Sequence, residues 1–86
     1  MTVKNYGVNV IRVGSRGDGE VMVHCRARNR EWADDRWWLV PASNPGASTF
    51  LATALTCIAS GLPAELGVED TLEQYSRIYA LYVLRD

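Results

Sequence analysis

The chain has 86 residues, 48% of them hydrophobic and 22% charged, and nine Lys/Arg against ten Asp/Glu leave a formal net charge of -1. That length predicts one domain over residues 1–86, with a single core that stabilises only modestly without a staple or a partner subunit. The balanced charge disfavours nucleic acid as a general partner, since phosphate binding needs a basic face, and the apolar content excludes a disordered chain.

Residues 3–13, VKNYGVNVIRV, are rich in β-branched residues and alternate in part. Tyr6, Val8 and Val10 share one face, while Ile11 and Val13 fall on the other, which predicts a bulge or a strand covered on both sides. GSRGDG (14–19) is a turn, and EVMVHCRAR (20–28) then alternates cleanly. Val21, Val23, Cys25 and Ala27 point inward; Met22, His24, Arg26 and Arg28 point outward, so the two segments read as a β-hairpin. A second reversal at 29–35 leads to RWWLVPA (36–42), a third strand ended by Pro41.

Asn44-Pro45 predicts a helix start, with the Asn side chain accepting from a first-turn amide and Pro at the first helical position. Phe50, Leu51, Ala54, Leu55 and Ile58 form an apolar stripe of period 3.6, and Gly61 and Pro63 close a helix over about 45–60. PAELGVE (63–69) alternates as a strand with Ala64, Leu66 and Val68 inward. Two patterns compete in the last stretch. Asp70-Thr-Leu-Glu73 resembles a capping box before a helical stripe, whereas the β-branched and aromatic content of 76–85 suits a strand covered on both faces. The expected fold is therefore α+β: a small antiparallel β-sheet or an OB-like barrel of about five strands with one helix, in the order β-β-β-α-β-β.

Little here has the makings of catalysis. His24 is the only histidine, and its neighbour Cys25 points to the opposite face of the same strand, so the two do not make a dyad. Asp34 and Asp35 read as solvated turn formers, being too close in sequence for a glycosidase pair and too few for a hard-metal site. GSRGDG lacks the Gly-Lys-Ser/Thr of a phosphate loop. Cys25 and Cys57 make neither a disulfide scaffold nor a zinc set, and two buried thiols is the simpler expectation. The chain is expected to be non-enzymatic, with no metal and no cofactor. MTVKNYGVNV carries no basic region followed by an apolar run, and no stretch approaches the roughly 20 apolar residues of a membrane span. A cytoplasmic protein with no membrane partner is expected.

Three tryptophans within seven residues (Trp32, Trp37, Trp38) are the strongest feature left. Trp37 and Trp38 face opposite ways on a strand, so one packs under the helix and its neighbour points out. Trp32 and Trp38, with Arg26 and Arg28 of the second strand and Tyr79 of the last, are the candidate binding or interface residues. Self-association as a homo-oligomer is the first expectation for so short a chain. The alternative is a small ligand-binding module in which Arg and Trp together take a glycan, a nucleotide or a single strand, although the near-zero net charge favours pairing of Arg26, Arg28 and Arg30 with Glu31, Asp34 or Asp35 across the turn.

From Leu39 onward the sequence resembles small bacterial proteins carried as integron gene cassettes. The shared pieces are the Leu39 to Ala42 step, Asn44-Pro45, the exit from Ala59 to Pro63, and Arg77-Ile78-Tyr79. The layout is also similar to the barrel-plus-helix arrangement of the B subunits of some pentameric toxins. The resemblance implies a strand over 76–85 and carries no activity or residue role.

Overall fold

The computed structural model describes residues 3–33, 35–69 and 75–85. Along the chain the elements are β1 (Val3–Ser15), β2 (Val21–Ala27), β3 (Arg36–Val40), α1 (Ala47–Ser60), β4 (Ala64–Glu69) and β5 (Ser76–Val83). In space the strands run β1-β2-β3-β5-β4, and β1 pairs with β4 as well as with β2, so the ladder returns to its first strand. The expectation of an antiparallel sheet needs correction. β3 and β5 run parallel, because the helix and β4 intervene between them, and the sheet is mixed. That seam is also the narrowest, formed by Trp38 with Ser76 and Leu39 with Arg77.

β1 serves two neighbours by length: Val3 to Val8 pair with β4, and Val8 to Ser15 pair with β2. Between them the register shifts, Val10 facing Cys25 and Arg12 facing His24, so Ile11 is the extra residue of a bulge. Bulges bend a strand and change which side its residues face. Tyr6, Val8 and Val10 therefore point to the core, and so does Val13 beyond the bulge. A strand covered on both faces is not needed to explain the slip. The same bulge turns Arg12 outward, where strict alternation from Val8 and Val10 would have sent it into the core.

The hairpin turns at Asp18-Gly19. The Gly19 amide donates to the Arg16 carbonyl at 2.9 Å, and Asp18 Oδ1 accepts from the Glu20 amide at 3.0 Å. Gly19 has φ +92°, a conformation that costs a side chain strain and glycine none.

The helix starts later than expected. Asn44 Oδ1 accepts from the Gly46 amide at 2.8 Å, closing a turn that contains Pro45, and Gly46 holds the N-cap position, its carbonyl accepting from Thr49 and Phe50. The Asn-Pro pair thus shapes the approach to the helix. At the other end Gly61, with φ +71°, gives the left-handed exit. The inward stripe is also rotated: Ala54 and Cys57 are buried and Phe50 and Leu51 pack on the core, whereas Leu55 and Ile58 are 50% and 41% exposed.

β5 is a strand, and the helical alternative for its residues falls away. Asp70 to Glu73, the capping-box residues, lie outside the described residues. A second register shift sets Ala80 against Gly67 and Ile78 against Val68, leaving Tyr79 as the extra residue. Simple alternation is lost in consequence, and Ile78 and Leu81 are the buried pair. Gly67 is where the strands come closest: a Cβ there would lie 2.8 Å from Asn5 Oδ1 and 3.1 Å from Ala80 Cβ.

Inside the ring sit Val8, Val23, Cys25, Trp38, Val40, Leu66, Val68 and Ile78, all essentially inaccessible. Each such aliphatic side chain contributes about 1.5–3 kcal/mol by leaving water. Among the described residues no helix is long and apolar enough to cross a membrane.

Candidate ligand-binding face

Three neighbouring strands place one side chain each in a row on the outer surface. Arg12 of β1 pairs in register with His24 of β2, and His24 with Trp37 of β3. The imidazole and the indole stack, with centroids 4.3 Å apart and planes within 11°. The Arg12 guanidinium carbon lies 4.8 Å from the Trp37 ring centroid, a cation–π contact. Among the described residues Arg12 has no carboxylate partner. His24 Nδ1 is buried without a hydrogen-bond partner. Beside this row is a hollow of about 330 Å³ whose walls include Arg12, Arg16, Met22 and Trp37. Arg16 reaches Glu20 at 3.7 Å, a loose exposed pair that holds it only weakly. Half-buried aromatic surface and guanidinium groups thus share one rim.

Further along β2 the arginines are differently employed. Arg26 donates to both oxygens of Asp35, at 3.0 and 3.2 Å. The hydrogen bond from Arg26 holds the Asp35 carboxyl below its ordinary value, and the pair lies at the surface with Arg26 exposed and Asp35 half-buried, so it adds little to stability. Of the two fates open to the arginine strand, ion pairing across the turn is the one Arg26 takes. Arg28 is exposed, and its amide donates to the Gly7 carbonyl at 3.0 Å. A larger hollow of about 540 Å³ lies here, among Arg26, Arg28, Arg30, Glu31 and Trp32.

The tryptophans divide otherwise than expected. Trp38, the expected partner-facing residue, is 0% exposed and belongs to the core. Trp32 is 6% exposed, edge-on to Trp38 at 5.4 Å and to Tyr6 at 6.0 Å. The physical reason is register: Trp38 pairs with inward-facing Val23, and Trp37 with outward-facing His24. Trp37 is thus the tryptophan that faces out. Tyr79 lies away from both hollows, its hydroxyl donating to Glu69 Oε1 at 3.2 Å. The structure therefore groups Arg26, Arg28 and Trp32, sets Trp38 beneath them and leaves Tyr79 apart. Arg12, His24 and Trp37 are the residues sequence reasoning missed as a set. Outward alternation marked His24, but only register and the Ile11 bulge bring all three together.

The two cysteines are free and buried. Burial, followed by the neighbouring Cys57 and Asp35, pushes the Cys25 thiol from 9.0 up to about 12, and burial also raises Cys57. A thiol whose value is raised on folding favours the folded state fully below its unfolded value, and that contribution disappears as pH climbs from 9.0 toward about 12. We expect both thiols to resist a disulfide reagent at pH 8 until denaturant is added, and stability to decline above pH 9, as followed by absorbance and by circular dichroism. Rapid labelling of the native protein would contradict the buried placement. Among the described residues no three His, Cys, Asp or Glu side chains gather as a metal ion would require.

The described residues form a five-stranded mixed sheet with one helix, and an aromatic–guanidinium row lies on the outer face of the sheet. Comparison of the chain with protein-family models, with curated proteins and with solved structures finds no match.

Proposed function

We propose that this protein is a small ligand-binding module, a barrel of the oligonucleotide/oligosaccharide-binding type, and that its β1–β2–β3 face takes a flat anionic ligand of the nucleotide class. The observation that carries the proposal is the Arg12–His24–Trp37 row beside its hollow. An aromatic ring of the ligand stacks on the indole, and its phosphate meets Arg12 and Arg16. A net charge of -1 suits a mononucleotide-sized footprint better than a long polyanion, which needs many uncancelled cations. Adenosine monophosphate is a suitable probe, with adenosine as the uncharged control. Saturable quenching of tryptophan fluorescence by the nucleotide, weaker with adenosine and lost in Trp37→Phe, is the expected result. Equal quenching of wild type and Trp37→Phe would overturn the proposal.

A second reading, self-association of two copies through α1, has its own support. The helix carries no charged residue from Ala47 to Ser60, and Leu55 and Ile58 stand outward on it. Such a face is suited to an uncharged copy of itself. Light scattering should then give a mass near twice 9.6 kDa that Leu55→Asp halves. A monomer at every concentration would dismiss it.

A further inference from the structure

We propose that Gly14 is the residue that admits an aromatic base to the β1–β2–β3 face, and that the base lies over its main chain, against Met22 and the Trp37 indole. This seat rests on the nucleotide reading of that face and names the part of the ligand it selects. Val13 packs on the core, so its neighbours Arg12 and Gly14 face outward. Across the hairpin Gly14 pairs with Met22, and Met22 with Leu39. Val21 and Val23 belong to the core and Met22 between them does not, which puts Met22 on the outer side with Gly14. Arg12, Gly14, Arg16, Met22 and Trp37 all line the hollow of about 330 Å³. A glycine can line a hollow only with its main chain. The strand is therefore bare at this point, with Arg12 two residues before it and Arg16 two residues after.

Neither backbone nor packing requires a glycine here. Gly14 lies within β1, and the left-handed glycines among the described residues are Gly19 and Gly61. A Cβ on Gly14 would meet no atom within 4 Å. A glycine inside a strand weakens it, because a freer chain must be ordered and no side chain packs. What the missing side chain leaves is open space on the floor of the hollow, and a larger residue would fill that space from below. The surroundings suit a flat ring. The Trp37 indole supplies aromatic surface, which another ring meets either stacked or edge-on, and Met22, 9% exposed, adds an apolar surface. The guanidinium groups on either side are left for the phosphate.

The test follows the Trp37 indole N–H signal by nuclear magnetic resonance in wild type, Gly14→Ala and Gly14→Val. The probes are adenosine monophosphate and ribose 5-phosphate, which has the phosphate and lacks the base. Wild type should bind the nucleotide about tenfold or more tightly than ribose 5-phosphate. In Gly14→Val the filled floor should remove most of that advantage, about tenfold, while ribose 5-phosphate binds as before. Gly14→Ala should show a smaller loss of the same kind. The thermal midpoint of each variant should equal or exceed that of wild type, since a strand glycine is replaced. Should Gly14→Val fail to fold, Gly14→Ala decides. Undiminished nucleotide affinity in the folded variants, an equal loss for both probes, or equal affinity of wild type for the two would each overturn the proposal and leave the nucleotide face standing. A wild type that binds neither probe would overturn both.

Discussion

Trp38→Ala should leave a chain that is barely folded or not folded at all. Trp38 is fully inaccessible, pairs with Val23 across β2 and β3, and meets Trp32 edge-on at 5.4 Å. Removing a buried aromatic side chain costs about 3–5 kcal/mol through lost burial and the cavity left behind. A domain of this size has a total stability near the lower end of about 5–15 kcal/mol, so the loss takes most of it. Trp38 also sits at the β3–β5 seam, where its backbone pairs with Ser76, and a loosened seam opens the ring where it is thinnest. Urea unfolding followed by circular dichroism should show the transition collapsing toward zero denaturant. A variant with an unchanged midpoint but an altered mass in solution would return Trp38 to the partner-facing role that the sequence suggested.

The second large effect is on binding and leaves the fold alone. Arg12→Gln removes the guanidinium over Trp37 and one of the two arginines that line the hollow, at an exposed position on the outer side of β1. Cation–π contacts are worth about 0.5–2 kcal/mol according to how dry they are, and the nucleotide phosphate loses a charged donor in addition. We expect affinity for adenosine monophosphate to fall about tenfold or more, equivalent to about 1.4 kcal/mol. The thermal midpoint should move little, because no buried group is disturbed. Raising the salt concentration should weaken the wild type toward the variant and have less effect on the variant itself. An unchanged affinity in Arg12→Gln would remove the electrostatic half of the account.

The limits of the sequence are visible in particular residues. Alternation in β2 and β4 identified Val21, Val23, Cys25, Ala64, Leu66 and Val68 as core because neither strand carries the inserted residue of its bulged pairing, and β2 meets β3, and β4 meets β1, in unbroken register. It failed in β1 and β5, where Ile11 and Tyr79 are extra residues, and one inserted residue reverses every direction beyond it. The helix was legible from its Asn-Pro entry and Gly exit. Its orientation was not, since Leu55 and Ile58 are as apolar as Phe50, Leu51, Ala54 and Cys57, and only the position of the sheet decides between the two flanks. Trp37 and Trp38 posed the same problem at one residue's spacing. Adjacent strand residues must face opposite ways, and the choice depended on pairing to Val23 or to His24. The binding row was hidden for a related reason: Arg12, His24 and Trp37 are far apart in the chain and become neighbours only through two registers and a bulge.

The most direct test of the nucleotide-binding face is a chemical-shift map of the uniformly nitrogen-labelled protein titrated with adenosine monophosphate. Saturable shifts should cluster at Arg12, Met22, His24 and the Trp37 indole, with α1 and residues 28–33 unmoved. Shifts confined to α1 or to residues 28–33, or none at all, would contradict a binding role for the β1–β2–β3 face.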